Sequence, residues 1–150
     1  MSRIEKGIIL NAPIERVFNY IKDPSNWTKF WPSLMKVNDI QTLPNGGYKA
    51  NYEYRMAGMR FKGEGEYTEY IPNNWIVVST HGGINSKLTF AFYPVKESNQ
   101  IERSHVTITV EYDIPVPLLG KLAEVVINRM NEQDIDLLLS NLQARFLVNY

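Results

Sequence analysis

The stretch HVTITVEYDIPVPLLGKLAEVVINRMN, residues 105–131, decides the fold. In its first part Val106, Ile108, Val110 and Tyr112 alternate with Thr107, Thr109 and Glu111, the pattern of a strand with one apolar and one polar side. Pro115 and Pro117 end the alternation. From Pro117, which suits the first turn of a helix, the apolar spacing lengthens to a helical period and runs nearly to the C-terminus. About thirty residues at roughly 1.5 Å each make about 45 Å, more than the roughly 38 Å expected across a compact chain of this length. This helix is therefore expected to cross the whole molecule.

On a helical wheel Leu119, Leu122, Ala123, Val126, Ile127, Met130, Leu137 and Leu138 form one apolar stripe, with Lys121, Glu124, Asn128 and Glu132 opposite. In the second half Ile135, Leu139, Leu142 and Phe146 add an apolar row on the far side. That half is either enclosed by other helices or meets a partner, a second copy of the chain being the homodimer alternative. Gln133, Asp134 and Asn141 interrupt the main stripe with polar groups.

The chain before residue 105 reads as strands broken once. Residues 48–56 alternate most clearly: Tyr48, Ala50, Tyr52, Tyr54 and Met56 on one side, Lys49, Asn51, Glu53 and Arg55 on the other. After a turn at residues 57–59, the strand 60–71 points Phe61, Gly63, Gly65 and Tyr67 inward. Two glycines on one face mark a bend or bulge, hence a curved sheet. Further strands are read at 3–10, with Ile4, Ile8 and Leu10, at 36–43, at 75–81, and at 88–93, where Leu88, Phe90 and Phe92 alternate. The break follows the first strand. A short helix over 13–21, capped by Asn11, carries Val17, Phe18 and Ile21, and a second over 25–30, capped by Ser25, carries Trp27 and Phe30 and leads to Trp31. The reading is an α+β fold with a curved antiparallel sheet of about seven strands wrapped around a long C-terminal helix.

Composition narrows the function. At 150 residues, 44% apolar and 21% charged, the chain fits a single domain over 1–150. Sixteen basic residues balance sixteen acidic ones without a basic run, so no nucleic acid is expected as a partner. No apolar stretch approaches the roughly 20 residues of an integral membrane segment, and the N-terminus lacks signal-peptide features, so a cytoplasmic protein is expected. With no cysteine, two histidines and no phosphate loop, nucleophile elbow or dinucleotide fingerprint, neither a metal nor a cofactor is expected.

Candidates for chemistry are few. His105 has outward parity, whereas His81, at a strand end beside Gly82-Gly83, either faces a cavity mouth or bonds within its loop. Asp134, a carboxylate on an inner stripe, either bonds a neighbouring side chain or orients a ligand. His81 and Asp134 are the catalytic candidates. Glu64 and Glu66 share the outer face with Arg60 and Lys62, and Arg55 and Arg60 flank the 57–59 turn, either as exposed charge or as a seat for an acidic headgroup. The surplus of aromatics, nine Tyr, six Phe and three Trp, lies largely on inner strand faces. Tyrosine hydroxyls need partners that a dry core rarely supplies, so Tyr52, Tyr54, Tyr67 and Tyr112 are expected around a cavity.

The segment Ile-Ile-Leu-Asn-Ala-Pro-Ile-Glu-Arg-Val-Phe (residues 8–18), followed by Asp23-Pro24 and by residues 27–32, resembles the opening of the START-like (SRPBCC) polyketide cyclase/dehydrase and lipid-transport superfamily. Residues 112–122 are similar to the approach to that superfamily's last helix, and residues 131–146 to its leucine-rich tail. The resemblance implies the helix-grip fold, with a cavity between sheet and long helix for an apolar or amphipathic molecule. Its members include lipid carriers, aromatase/cyclases and ubiquinone-binding proteins, so fold alone does not choose an activity. The expected function is binding or transport of a small hydrophobic ligand such as a lipid, quinone, polyketide or isoprenoid. The alternatives are a cyclase or dehydratase using the same cavity and a protein-interaction module. The ligand is expected to meet Trp31, Tyr52, Tyr54, Met56, Met59, Tyr67, Phe90, Phe92 and Tyr112 from the sheet side, and Leu119, Leu122, Val126 and Met130 from the helix. Access is expected past residues 56–59, 82–86 and 115–119.

Overall fold

A computed structural model of the chain describes residues 1–95, 102–114 and 121–147. Its strands are β1 (Ser2–Leu10), β2 (Leu34–Thr42), β3 (Tyr48–Met56), β4 (Met59–Ile71), β5 (Trp75–His81), β6 (Ser86–Val95) and β7 (Arg103–Tyr112). They form one antiparallel sheet in the order β1-β7-β6-β5-β4-β3-β2. β1 and β2 are consecutive strands at opposite edges. The chain crosses between them through helix α1 (Ile14–Ile21), a 3-10 turn (Pro24–Asn26) and the single-turn helix α2 (Trp27–Phe30). The last helix, α3 (Lys121–Arg145), is about 38 Å long by its 25 residues.

The two short helices start differently from the sequence expectation. Pro13, not Asn11, holds the cap position of α1, and Asn11 Oδ1 instead accepts from Arg103 Nε at 3.1 Å. Beyond α1, Asp23 Oδ1 accepts from both the backbone N (3.0 Å) and the Oγ (2.7 Å) of Ser25. The aspartate cap before Pro24 closes a 3-10 turn, which shortens the expected 25–30 helix to α2.

Curvature comes from bulges placed elsewhere than the glycines. Gly63 and Gly65 pair with Tyr52 and Ala50 in unbroken register, while β4 shifts against β5 between Tyr67 and Glu69, and β2 shifts twice against β3. Gly63 serves a close approach: a Cβ there would stand 2.5 Å from the His81 carbonyl oxygen and 2.7 Å from Gly83 N. The β3–β4 hairpin closes on Ala57 (φ 52°) and Gly58 (φ 76°), the two positive angles of a tight turn that follows sheet twist.

The rotation of α3 overturns part of the sequence reading. Leu122, Val126 and Met130 are 84%, 57% and 47% exposed, and Leu137 is exposed as well. The buried face carries Ile127, Asn131, Asp134, Ile135, Leu138, Leu139, Leu142 and Phe146, roughly a third of a turn away from the expected stripe. A straight helix presents one face to a sheet, and the apolar row of its second half takes that face. This row is internal. Phe146 meets the Tyr20 ring of α1 edge-on at 5.6 Å, and Arg145 lies 4.9 Å above the same ring. Ile135, Leu139, Leu142 and Phe146 are thus buried within the chain itself, Phe146 against α1, and the basis for pairing two copies through that row disappears.

Gly63→Val is expected to lower unfolding free energy by about 3 kcal/mol, because the new carbons meet the backbone of His81 and Gly83 as well as the Tyr52 hydroxyl. Gly65→Ala, whose Cβ would meet Thr80 and Val78 at an ordinary 3.6 Å, should change it by less than about 0.5 kcal/mol. Urea midpoints of the two variants check the contrast; equal midpoints would contradict it.

Candidate functional site

Period-two alternation turns Tyr48, Ala50, Tyr52, Tyr54 and Met56 of β3 toward one cavity, open to solvent on one side, between the sheet and α3. Every strand adds to its wall: Ile4, Leu34, Val37, Gly65, Tyr67, Val78, Thr80, Ser86, Leu88, Val110 and Tyr112 lie around it. Trp27 and Trp31 cover one side, Ile84 comes from the β5–β6 loop, and α3 contributes Asn131 and Ile135. The aromatics are layered. Trp27 stacks on Tyr67 at 6.0 Å, Tyr48 meets Tyr67 edge-on at 5.7 Å, and Trp31 meets Tyr54 edge-on at 5.6 Å.

The polar atoms of this wall are mostly bonded within the protein. Tyr52 Oη donates to the Ile84 carbonyl at 3.1 Å and accepts from Ile84 N at 2.9 Å. Tyr67 Oη donates to the Lys22 carbonyl at 2.8 Å, and Thr80 Oγ1 donates to the Ile84 carbonyl at 2.6 Å while Ser86 Oγ pairs with it. The Tyr112 hydroxyl donates to Asn128 Oδ1.

Asp134 is the junction of the site. Its Oδ2 accepts from Trp31 Nε1 at 2.7 Å and from the Tyr54 hydroxyl at 2.9 Å, and its Oδ1 accepts from Ser33 Oγ at 2.7 Å. Hydrogen bonds to a carboxylate are about twice as strong as neutral ones. Three of them tie α3 to β3 and to the segment after α2. Of the two roles open to Asp134 from sequence, bonding to neighbouring side chains is the one this geometry provides.

Burial pushes the Tyr54 hydroxyl far above the ordinary tyrosine range, and the adjacent Asp134 adds to the rise. Tyr67 is raised well above that range by burial and then by Tyr48 and Asp23. Tyr112 is raised by burial, with Asn131 and Ser2 working in the opposite direction. These tyrosines remain hydrogen-bond donors at neutral pH.

Of the residues expected to meet a ligand, Trp31, Tyr52, Tyr54, Met56, Tyr67 and Tyr112 stand around this cavity. Phe90 and Phe92 do not. They pack in the core, Phe90 against Trp27 at 5.5 Å and Phe92 against Phe18 at 5.1 Å. Met59 is exposed in the β3–β4 hairpin, Leu122, Val126 and Met130 point away for the reason given above, and Leu119 lies outside the described residues, as does the 115–119 access segment. His81 lines a shallow polar groove with Lys36, Asn51, Glu53, Lys62 and Glu64, apart from the cavity, so parity at the strand end turns it away from the position a catalytic role there requires. Arg55 and Arg60 face each other across β3 and β4 with outward parity. Among the described residues no group of three or more His, Asp or Glu side chains is arranged to hold a metal ion. None of their helices is long and apolar enough to cross a membrane.

Sequence reasoning missed Asn131, Ser33 and Asn128. A wheel centred on Ile135, Leu138 and Leu142 places Asn131 and Asp134 together on the buried face; centred on Leu122 and Val126 it does not.

Asp134→Ala should lower stability by about 3 kcal/mol, since buried donors lose their acceptor; a urea-denaturation loss below about 1 kcal/mol would place the attachment of α3 elsewhere. A second expectation concerns alkaline pH. Tyrosines of the unfolded chain ionise near about pH 10, whereas Tyr54 and Tyr67 hold their protons in the fold. The folded state therefore binds more protons above about pH 10, and stability present below that value falls as pH rises through it. Urea midpoints at about pH 8 and pH 10.5 should show the fall, and Tyr54→Phe should reduce its slope.

Comparison with known proteins agrees with this architecture. The chain matches the family model described as polyketide cyclase / dehydrase and lipid transport over residues 1–147. A sequence search of curated proteins found no match. Among solved structures, TTHA0849 from Thermus thermophilus superposes with a TM-score of 0.81 at 18% identity, covering 97% of each chain. A START superfamily protein from Mycobacterium smegmatis gives 0.74 at 12% identity, again with 97% of each chain covered. The Zhui aromatase/cyclase from Streptomyces sp. R1128 gives 0.71 at 15% identity, covering 96% of this chain and 94% of the other. At such identities the structural likeness speaks for the fold, and the family follows from the match along nearly the whole sequence: the chain belongs to the polyketide cyclase/dehydrase and lipid transport family.

Proposed function

We propose that the protein binds and carries a small, largely apolar molecule in the cavity between β3 and α3. The observation behind this reading is the chemistry of the wall. Most of its surface is aromatic and aliphatic, and apart from Tyr48 its tyrosine, tryptophan and threonine donors, at positions 27, 31, 52, 54, 67, 80 and 112, are engaged with the protein itself. Affinity then comes mainly from apolar burial, at about 25 cal/mol per Å² less the cost of immobilisation. A cyclase would need an acid–base group aimed at its substrate. The two sequence candidates are otherwise occupied, His81 in the outer groove and Asp134 by three donors, which favours carriage over turnover.

Nile red, an uncharged apolar dye, should bind the purified protein and brighten. Ala50→Trp, which puts a large ring into the cavity from β3, should weaken that binding by about tenfold or more while circular dichroism stays native. Native mass spectrometry followed by organic extraction should identify a copurified neutral molecule. Unchanged dye affinity in a folded Ala50→Trp variant would refute the cavity as the binding site, and release of a chemically altered small molecule by the native protein would favour the cyclase reading.

A further inference from the structure

No charged side chain is among the residues lining the cavity, and its polar groups are almost all spent on the protein. Both indoles and four of the five phenols give their protons to protein acceptors, and Thr80 and Ser86 pair with each other. Asn131 is directed at the Tyr112 hydroxyl, and its amide nitrogen is closed off. Tyr48 is the exception. Among the described residues its hydroxyl has no hydrogen-bond partner, and it is not one of the buried polar atoms, so it stands accessible on a partly buried ring.

The fold holds that ring and leaves its polar end free. Tyr48 opens β3 directly after a turn closed by Leu43 N on the Gly47 carbonyl at 2.9 Å and by Gly47 N on Asn45 Oδ1 at 2.8 Å. The ring meets Tyr67 edge-on, and Tyr67 is itself stacked on Trp27 and bonded to the Lys22 carbonyl. A bond from a hydroxyl so held costs little further ordering. Next along the same face comes Ala50, paired across the strands with Gly65, and both line the cavity. These two small residues leave the sheet bare beside Tyr48, where the apolar body of a ligand has room.

The chemistry of such a ligand follows from what the hydroxyl loses. In water an accessible hydroxyl bonds solvent; a hydrocarbon laid against it displaces that solvent and returns no bond. A carboxylate or phosphate would accept the proton, but in an apolar space whose lining holds no lysine, arginine or histidine. An uncharged oxygen of the ketone, ester or quinone kind replaces the solvent without that electrostatic cost.

We infer that Tyr48 is the specificity-determining residue of the cavity, its hydroxyl donating to a carbonyl-class oxygen on an uncharged ligand whose apolar body lies over Ala50 and Gly65. This inference rests on the carrier reading above and sharpens it. The cavity selects neutral carbonyl compounds over matched hydrocarbons through one hydrogen bond, and over carboxylates through the lack of a cation. Because the hydroxyl bonds nothing in the protein, its removal should leave the fold as stable as before.

The test is isothermal titration of the native protein and of Tyr48→Phe, which keeps the ring and its contact with Tyr67, using three probes of one shape: 2-acetylnaphthalene, 2-isopropenylnaphthalene and 2-naphthoate. The native protein should bind the ketone about tenfold tighter than the hydrocarbon, and 2-naphthoate weakest of the three at neutral pH. Tyr48→Phe should bind ketone and hydrocarbon equally, hold the hydrocarbon at least as tightly as the native protein does, and melt within about 2 °C of it. Equal native affinity for ketone and hydrocarbon would overturn the inference and leave the carrier reading standing, as would 2-naphthoate binding tightest. A preference that survives in Tyr48→Phe would move the recognition to another residue, and a joint loss of both affinities with a clear fall in melting temperature would make the hydroxyl structural; either overturns the assignment. If neither neutral probe binds the native protein, the carrier reading fails and the inference falls with it.

Discussion

The carboxylate of Asp134 is the point on which the arrangement turns. A helix laid against a curved apolar sheet can roll about its axis at small cost, because hydrophobic contact is non-directional. Three hydrogen bonds from Trp31, Ser33 and Tyr54 to one buried side chain remove that freedom. They set which residues of α3 look inward, hence that Asn131 and Ile135 meet the cavity while Leu122 and Val126 meet solvent. The same bonds hold Tyr54 and Trp31, two members of the wall. Lys6 adds an ion pair to Asp136 at 2.7 Å on the other flank, but Asp136 is exposed and Lys6 partly so, and such pairs contribute little.

Around this junction the aromatics act as spacers. A sheet of seven strands curving over one helix leaves more room than aliphatic side chains fill. Large rings prop the two layers apart, and their polar ends anchor to backbone carbonyls: Trp27 to Ile21, Tyr67 to Lys22, Tyr52 to Ile84. A ring held at both ends keeps the space beside it open, where a floppy side chain would collapse into it. The phenols are thus scaffold as much as lining.

Much of this was legible from residue order. The alternation of Tyr48 to Met56 specified β3 and its inward face to the residue, and β7 was equally plain, because a two-residue period leaves no ambiguity of side. Gly63 and Gly65 announced something unusual in β4 but not what: the shift in register is at Thr68, where nothing in the local sequence marks it, and Gly63 answers to a loop that only the fold brings near. The helix was harder. With apolar residues on nearly every side of α3, a wheel admits several inner faces, and the deciding contacts come from residues a hundred positions away, Trp31 and Ser33. Asn131 stayed hidden for the same reason, because the wheel that conceals the buried face of α3 conceals the polar residues on it.

The placement of the three tryptophans gives the molecule a built-in optical division. Trp27 and Trp31 are buried at the cavity, each with its indole N–H committed, whereas Trp75 is 39% exposed at the start of β5. Two emitters therefore sit in an apolar setting beside the cavity, and one faces water. Trp31 shares the Asp134 acceptor with Tyr54, so any roll of α3 that disturbs this junction alters the charge next to one indole without touching the others. The intrinsic emission of the protein accordingly carries separate signals for the filling of the interior, the seating of the helix and the solvent outside.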